Sequence, residues 1–449
     1  MIGMPGRAAL LAAAALLVAS PATGQSDDGI FPFPYHRIDL DNGFRAYFIR
    51  AGAPGQIAYV SMVRTGSRDE VEKGKTGFAH FFEHMMFRGT KKYPNYDGIT
   101  ESMGAARNAF TSLDMTVYYL VAGSEYLDQI ADLESDRFQR LDYSEDGFRT
   151  EAGAVLGEYQ NNAYSPFAVL DRKLRELAWT RHTYRHSTIG FEADVRAMPQ
   201  GFEYSREFFR RFYRPENVVL VIAGDFDWDH AEEVVRKYYS DWAPGYQAPD
   251  IPVEPEQTEP RIATVEYDGR TLPILSVNWK GPAWSPTDRL AVATEILGEI
   301  AFGPNSDLYK KLVLEEQRVQ FLQPGFDLSR DPDLVGVTTM VSDPADVDAV
   351  RSEIMATVAR FRNDPVDPHV LDVTKQAAKY GFLMGLETAQ SVAFSLIQPI
   401  IDTGTLEAVN DYYATLESIT PDDIREAARR FLVDRGLVQV TLVQSEGQS

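Results

Sequence analysis

Residues 77–90 read Gly77-Phe-Ala-His-Phe-Phe-Glu-His-Met-Met-Phe-Arg-Gly-Thr90, and the interpretation of the chain depends on what their spacing permits. Phe78, Ala79, Phe81, Phe82, Met85, Met86 and Phe87 make a helix over 78–87 apolar on nearly every side, so it belongs in a core. Gly89 supplies the stop. On such a helix His80 and His84 stand one turn apart on one face. Two imidazoles so placed can converge on one metal ion, and Glu83 projects beside them. A carboxylate there can take a proton from water and pass it to a leaving amine. Three ionisable groups on a buried helix need a compensating partner, and a metal is the economical one. The order His-x-x-Glu-His is the reverse of the common metalloprotease motif.

A catalytic zinc takes three protein ligands, so a third is required. The segment after Asp146 predicts a helix over 148–162 carrying Glu151 and Glu158, seven residues apart and on one face. Spacing alone lets either reach the metal.

Outward from this region, strands are predicted at 45–50, 57–63, 116–121 and 217–223, with further helices at 126–140 and 204–212. Residues 243–260, APGYQAPDIPVEPEQTEP, contain five prolines and read as a linker. Beyond it the plan restarts: strands at 274–279, 335–341 and 437–443, helices at 288–300 and 347–362. The expected fold is α+β, with two similar domains, 25–242 and 261–449, each a mostly antiparallel sheet with helices packed on one face.

Residues 1–24 differ from the rest. Arg7, the apolar run Ala8 to Ala19, Pro21 and the small residues Ala22-Thr23-Gly24 form a signal-peptide pattern, too short for a membrane span. No later stretch is apolar for long enough to cross a bilayer. The chain has no Cys, which excludes disulfides, thiol nucleophiles and a lipoprotein anchor. Export to a periplasm fits this composition. The net charge of −22 disfavours nucleic-acid binding, while the hydrophobic fraction of 44% supports packed cores.

The chain resembles the insulinase/pitrilysin/mitochondrial processing peptidase family of inverted zincins. The resemblance is carried by residues 77–90, by Gly104-Ala-Ala-Arg-Asn-Ala-Phe-Thr111, by Thr116-Val-Tyr118, by the 151/158 glutamate pair and by Phe212-Tyr-Arg-Pro-Glu-Asn-Val-Val-Leu-Val-Ile-Ala-Gly-Asp225. It is looser in the second half, through Ser306-Asp-Leu-Tyr-Lys-Lys-Leu312. It implies a zinc-dependent peptidase with one Zn2+ per chain, held by His80, His84 and Glu158, with Glu83 as catalytic base and Glu151 supporting the site. It also implies that Asn108, Ala109 and Phe110 lie on an edge strand to which an extended peptide substrate adds.

The second half departs from the family pattern. Val313 stands where a substrate-holding Arg is expected, and no Tyr follows, leaving Arg318 or Phe321 as partial substitutes. Aligning 293–298 with 79–84 puts Thr294, Leu297 and Gly298 at the ligand positions. The expectation is therefore a heterodimer with a related chain that lacks the zinc motif, with a homodimer as the competitor. A non-catalytic peptide-binding or scaffold subunit is the alternative function, and the intact His80, Glu83, His84 and Glu158 set argues against it.

Overall fold

The computed structural model describes residues 22–24 and 29–445. The expected leader, residues 1–24, lies outside them apart from Ala22–Gly24. The described strands are β1 (Ala22–Gly24), β2 (Tyr35–Asp39), β3 (Arg45–Arg50), β4 (Gln56–Val63), β5 (Ala106–Thr111), β6 (Thr116–Gly123), β7 (Val218–Gly224), β8 (Arg261–Tyr267), β9 (Ile274–Lys280), β10 (Val319–Gly325), β11 (Leu334–Val341) and β12 (Leu437–Gln444). They form two sheets, ordered β1-β2-β3-β7-β4-β6-β5 and β10-β11-β9-β12-β8. Pairing is antiparallel except for β3–β7 and β12–β8. Both sheets are therefore mostly antiparallel, as the sequence implies. Residues 243–260 carry no helix or strand and run between the two sheets.

The central strands are apolar without interruption because both faces of the sheet are buried. Along β4, Ile57, Tyr59 and Val63 enter one core, while Ala58, Val60 and Met62 enter another on the opposite face. All seven residues of β7 are buried.

The helices of the first half, including Phe78–Met85, Leu127–Arg140, Glu145–Ala163 and Phe202–Phe212, cover one face of the first sheet. The other face is covered from the second half, by helices Ala389–Ser395 and Ile397–Thr403. Ala389, Val392, Ile397 and Ile400 pack there against Tyr47, Val60 and Val221. The exchange is mutual. Helix Pro166–Ala178 of the first half packs Leu170, Leu174 and Leu177 against Ile274, Val440 and Leu442 of the second sheet. Each half lends the other a helical layer, so the two halves are interlocked.

A polar cluster at the junction adds to this. Asp331 accepts from Arg68 Nε at 2.6 Å and pairs with His182 Nε2 at 2.9 Å. Asp114 accepts from Arg330 N at 3.0 Å and from the Tyr184 hydroxyl at 2.8 Å.

Candidate active site

The motif helix is Phe78–Met85. Its start needs a glycine: Gly77 has φ 91°, and a Cβ there would lie 2.5 Å from the Ile189 carbonyl oxygen. The free N–H groups of the first turn are met by Glu70, whose two oxygens accept from Gly77 N and Ala79 N, each at 2.7 Å. Phe78, Phe81, Phe82 and Met85 are completely or almost completely buried. Phe81 lies against Phe148 at 4.9 Å between ring centroids, and Phe82 stacks on Phe208 at 5.3 Å. Burying each ring contributes about 1.5–3 kcal/mol, which fixes the rotation of the helix and hence the direction of its two imidazoles.

Glu145–Ala163 crosses this helix, its start capped by Ser144. Phe148, Ala152, Val155 and Tyr159 form its buried stripe, and Glu151 and Glu158 follow on the adjacent face. Glu158 Oε2 lies 3.6 Å from His80 Nε2 and 3.5 Å from His84 Nε2. The donor atoms of all three residues lie within 4.8 Å of one another. Donors about 2.0–2.1 Å from a tetrahedral zinc stand about 3.3–3.4 Å apart, so Glu158 stands close to that spacing from both imidazoles and the donor set has the chemistry for that ion.

The electrostatics agree. Burial, reinforced by the neighbouring His84, pushes the His80 imidazole down to about 4, leaving it neutral with a lone pair to donate. Its buried Nδ1 has no hydrogen-bond partner. His84 Nδ1 lies 3.2 Å from Glu151 Oε1, and Arg88 binds the other oxygen of Glu151. With Nδ1–H donating to Glu151, His84 Nε2 is the free donor atom, oriented by its carboxylate partner. That hydrogen bond pushes His84 up, with burial working against it. Glu151 thus contacts His84 from behind and is not one of the three converging donors.

Glu83 Oε2 accepts from the Thr111 hydroxyl at 2.7 Å. Burial pushes its carboxyl up, and the bond to Thr111 partly offsets this. Thr111 ends β5, which among the described residues pairs only with β6 and forms the edge of its sheet. A cleft of about 500 Å³ opens here, lined by Glu83, His84, Arg88, Asn108 and Glu151 among others. Asn108 is exposed at its rim, Ala109 is buried, and the Phe110 ring turns to the opposite face, 6.2 Å from Phe394. Sequence reasoning did not find Glu70, Arg88 or Thr111. Thr111 reads from the sequence only as the end of the edge strand, not as a partner of Glu83, and nothing in the spacing of Glu70 marks it as a cap.

In the second half Arg318 pairs with Glu316 at 3.2 Å, Phe321 lies 6.1 Å from Phe167, and Val313 packs against the core. Among the described residues, His80, His84 and Glu158 are the one group of three histidines and carboxylates able to hold a metal.

Two family models match the chain: "Insulinase (Peptidase family M16)" over residues 50–191 and "Peptidase M16 inactive domain" over residues 202–378. The chain belongs to the M16 peptidase family. The first match contains the motif helix and both glutamates, and the second falls mainly on the half without them. Among M16 relatives, the zinc protease PqqE of Helicobacter pylori is 26% identical over 89% of this chain and 91% of its own length. The beta subunit of the mitochondrial-processing peptidase of Caenorhabditis elegans is 26% identical over 90% and 88%. A crystal structure of a protease from Helicobacter pylori superposes with a TM-score of 0.83 at 25% identity, covering 91% of this chain and 99% of that one. No described helix is long and apolar enough to cross a membrane.

Proposed function

We propose that this chain is an exported zinc metalloendopeptidase that hydrolyses peptides bound in extended form. The observation that carries the reading is the convergence of His80 Nε2, His84 Nε2 and Glu158 Oε2 within 4.8 Å, with the half-buried Glu83 one residue before His84. His80, His84 and Glu158 would hold the zinc, which when bound supplies Lewis-acid polarisation of the scissile carbonyl and acidifies the attacking water. Glu151 and Arg88 keep the His84 ring in its donating tautomer. Thr111 occupies Glu83 Oε2, which leaves Oε1 to accept the proton of the attacking water and deliver it to the leaving nitrogen. The main chain of Asn108, Ala109 and Phe110 on the β5 edge pairs with the substrate backbone, a mode that reads extended conformation before side chains.

The chain acts as the metal-bearing member of a heterodimer. Val313 offers no group to hold substrate, and Arg318 and Phe321 are engaged within their own chain. A related chain carrying the holding groups would complete the chamber. The chain's composition and the pattern of residues 1–24 favour a periplasmic location.

Glu83→Gln tests the assignment directly. The variant should retain zinc, measured by atomic emission, while peptide hydrolysis falls on the order of 10³-fold. Near-normal turnover in the zinc-replete variant would remove Glu83 from its role. A wild-type chain that binds no zinc would favour the scaffold reading.

A further inference from the structure

A second cavity, about 930 Å³, shares no lining residue with the cleft at β5. Tyr159 and Asn162 line it, one and four residues beyond Glu158 and so within about 6 Å of it along the helix axis. Segment 70–76, helix Pro166–Ala178 and segment 180–194 close the rest.

Its charges are unevenly satisfied. Six carboxylates line it, and all are engaged. Glu72 binds Arg211, Asp171 binds Arg175, Glu176 binds Lys173 and Glu192 binds Arg196. Asp194 accepts from Thr76 N and Oγ1, and Glu70 caps the motif helix. Of the five lining cations, Arg175 is tied to Asp171 and Arg172 donates to the Ala163 carbonyl. Lys73, Arg181 and Arg185 are exposed, and their side chains have no partner among the described residues. Three unpaired cations at one cavity run against a chain of net charge −22, whose overall field repels anionic peptides.

One lining residue is buried. His186 lines the cavity and is 4% exposed. Its Nδ1–H donates to the Ser187 carbonyl at 3.0 Å, which leaves Nε2 as an acceptor, and that atom has no donor. Burial pushes the imidazole down to about 4, so protonation does not relieve it near neutrality. His186 Nε2 is itself shut off from solvent, so what the cavity offers a ligand is its unpaired donors, which suit an anion such as a peptide carboxylate.

We infer that this cavity binds a carboxylate-bearing stretch of the peptide substrate, the carboxylate being held by Lys73, Arg181 and Arg185. The inference rests on the peptidase reading for the identity of the ligand. The carboxylate comes from the peptide C-terminus or from an Asp or Glu side chain, and a free end versus an amide, and Glu versus Gln, separate these sources.

The test uses zinc-loaded full chain and a matched set of labelled peptides differing only in those groups. Wild type should show KM about tenfold lower for the carboxylate-bearing member, with kcat unchanged, and the ratio should shrink as salt is raised. In the Arg181→Ala/Arg185→Ala double variant that ratio should fall to about one. A wild-type ratio of one, or an undiminished ratio in a folded double variant, overturns the inference. Fluorescence anisotropy with zinc-loaded Glu83→Gln measures the same ratio as binding. If wild type hydrolyses nothing, alone or with the related chain added, yet binding discriminates through the two arginines, the peptidase reading fails and the cavity assignment stands. If turnover is normal and binding does not discriminate, the reverse holds.

Discussion

Helices Phe78–Met85 and Arg289–Phe302 are alike in burial and unlike in chemistry. The first carries His80, Glu83 and His84 inside an otherwise aromatic surface. The second, at the corresponding positions, carries Thr294, Leu297 and Gly298. Thr294 satisfies its hydroxyl on its own helix, at the Leu290 carbonyl, 2.6 Å away. Leu297 is fully buried. Gly298 packs so tightly under Phe326 that a Cβ would lie 2.3 Å from the ring. The comparison shows what a buried polar constellation needs. The first half surrounds its three ionisable groups with Glu151, Arg88, Glu158 and Thr111. The second half removes the groups and fills the space with a phenyl ring. One polar remnant, Glu295, is pushed up to about 8 by burial, with its bond to Tyr412 working against the shift.

The most damaging way to break the first half's arrangement is to remove one converging donor. Glu158→Gln should purify essentially free of zinc. Glu151→Gln, which loses only the contact behind His84, should keep the ion with affinity lowered about 10–100-fold. Metal titration against a competing chelator distinguishes the two. If Glu151→Gln loses the ion and Glu158→Gln keeps it, the two glutamates exchange roles.

The reverse operation, giving the second half a ligand, should fail for steric reasons. Gly298→His places its side chain against Phe326, which is itself stacked on Phe302 at 5.8 Å and has little room to yield. The gain of about 1 kcal/mol from replacing a helical glycine is outweighed by overpacking of about 1–3 kcal/mol. Denaturant unfolding should show a net loss, and metal analysis no second ion. Even Gly298→Ala should destabilise, and Phe326→Ala in the same chain should relieve part of the strain. A stabilised Gly298→Ala would mean that the ring moves freely.

What the sequence disclosed follows from where the information lies. The two histidines and Glu83 are fixed by spacing within one helix, so helical geometry alone aims them. The strands read at 45–50, 116–121 and 437–443, within a residue or two of those observed, were legible because runs of β-branched and aromatic residues have few alternatives. Glu158 is different: helical spacing placed it beside Glu151 on one face, and only the family resemblance chose between them. The exchange of helical layers left no local trace. Helix Pro166–Ala178 has an apolar stripe that would suit either sheet, and which one it covers is decided by long-range packing. Thr111 acts through one hydrogen bond across 28 residues and Glu70 through two, across 7 and 9, which periodicity does not encode.

The smallest expected effect concerns how the second half supports the first. Asp331 reaches from the second half to Arg68, two residues before the Glu70 that caps the motif helix. Burial pushes the Asp331 carboxyl up, but hydrogen bonds and charge from His182 and Arg68 more than offset this and hold it well below the ordinary carboxylate range. For a depressed carboxyl the stabilisation is fully present above the unfolded-state value of about 3.9 and is lost as pH falls through the lower folded value. Asp331→Asn should therefore melt below wild type at neutral pH, and the gap should close on acidification below about pH 4. Because the side chain is partly exposed, screening limits the effect to about 1 kcal/mol or less. Thermal melts of both proteins between pH 7 and pH 3 measure it. A gap that persists unchanged to pH 3 would show that shape at the junction, rather than the ionised carboxylate, joins the second half to the segment capping the motif helix.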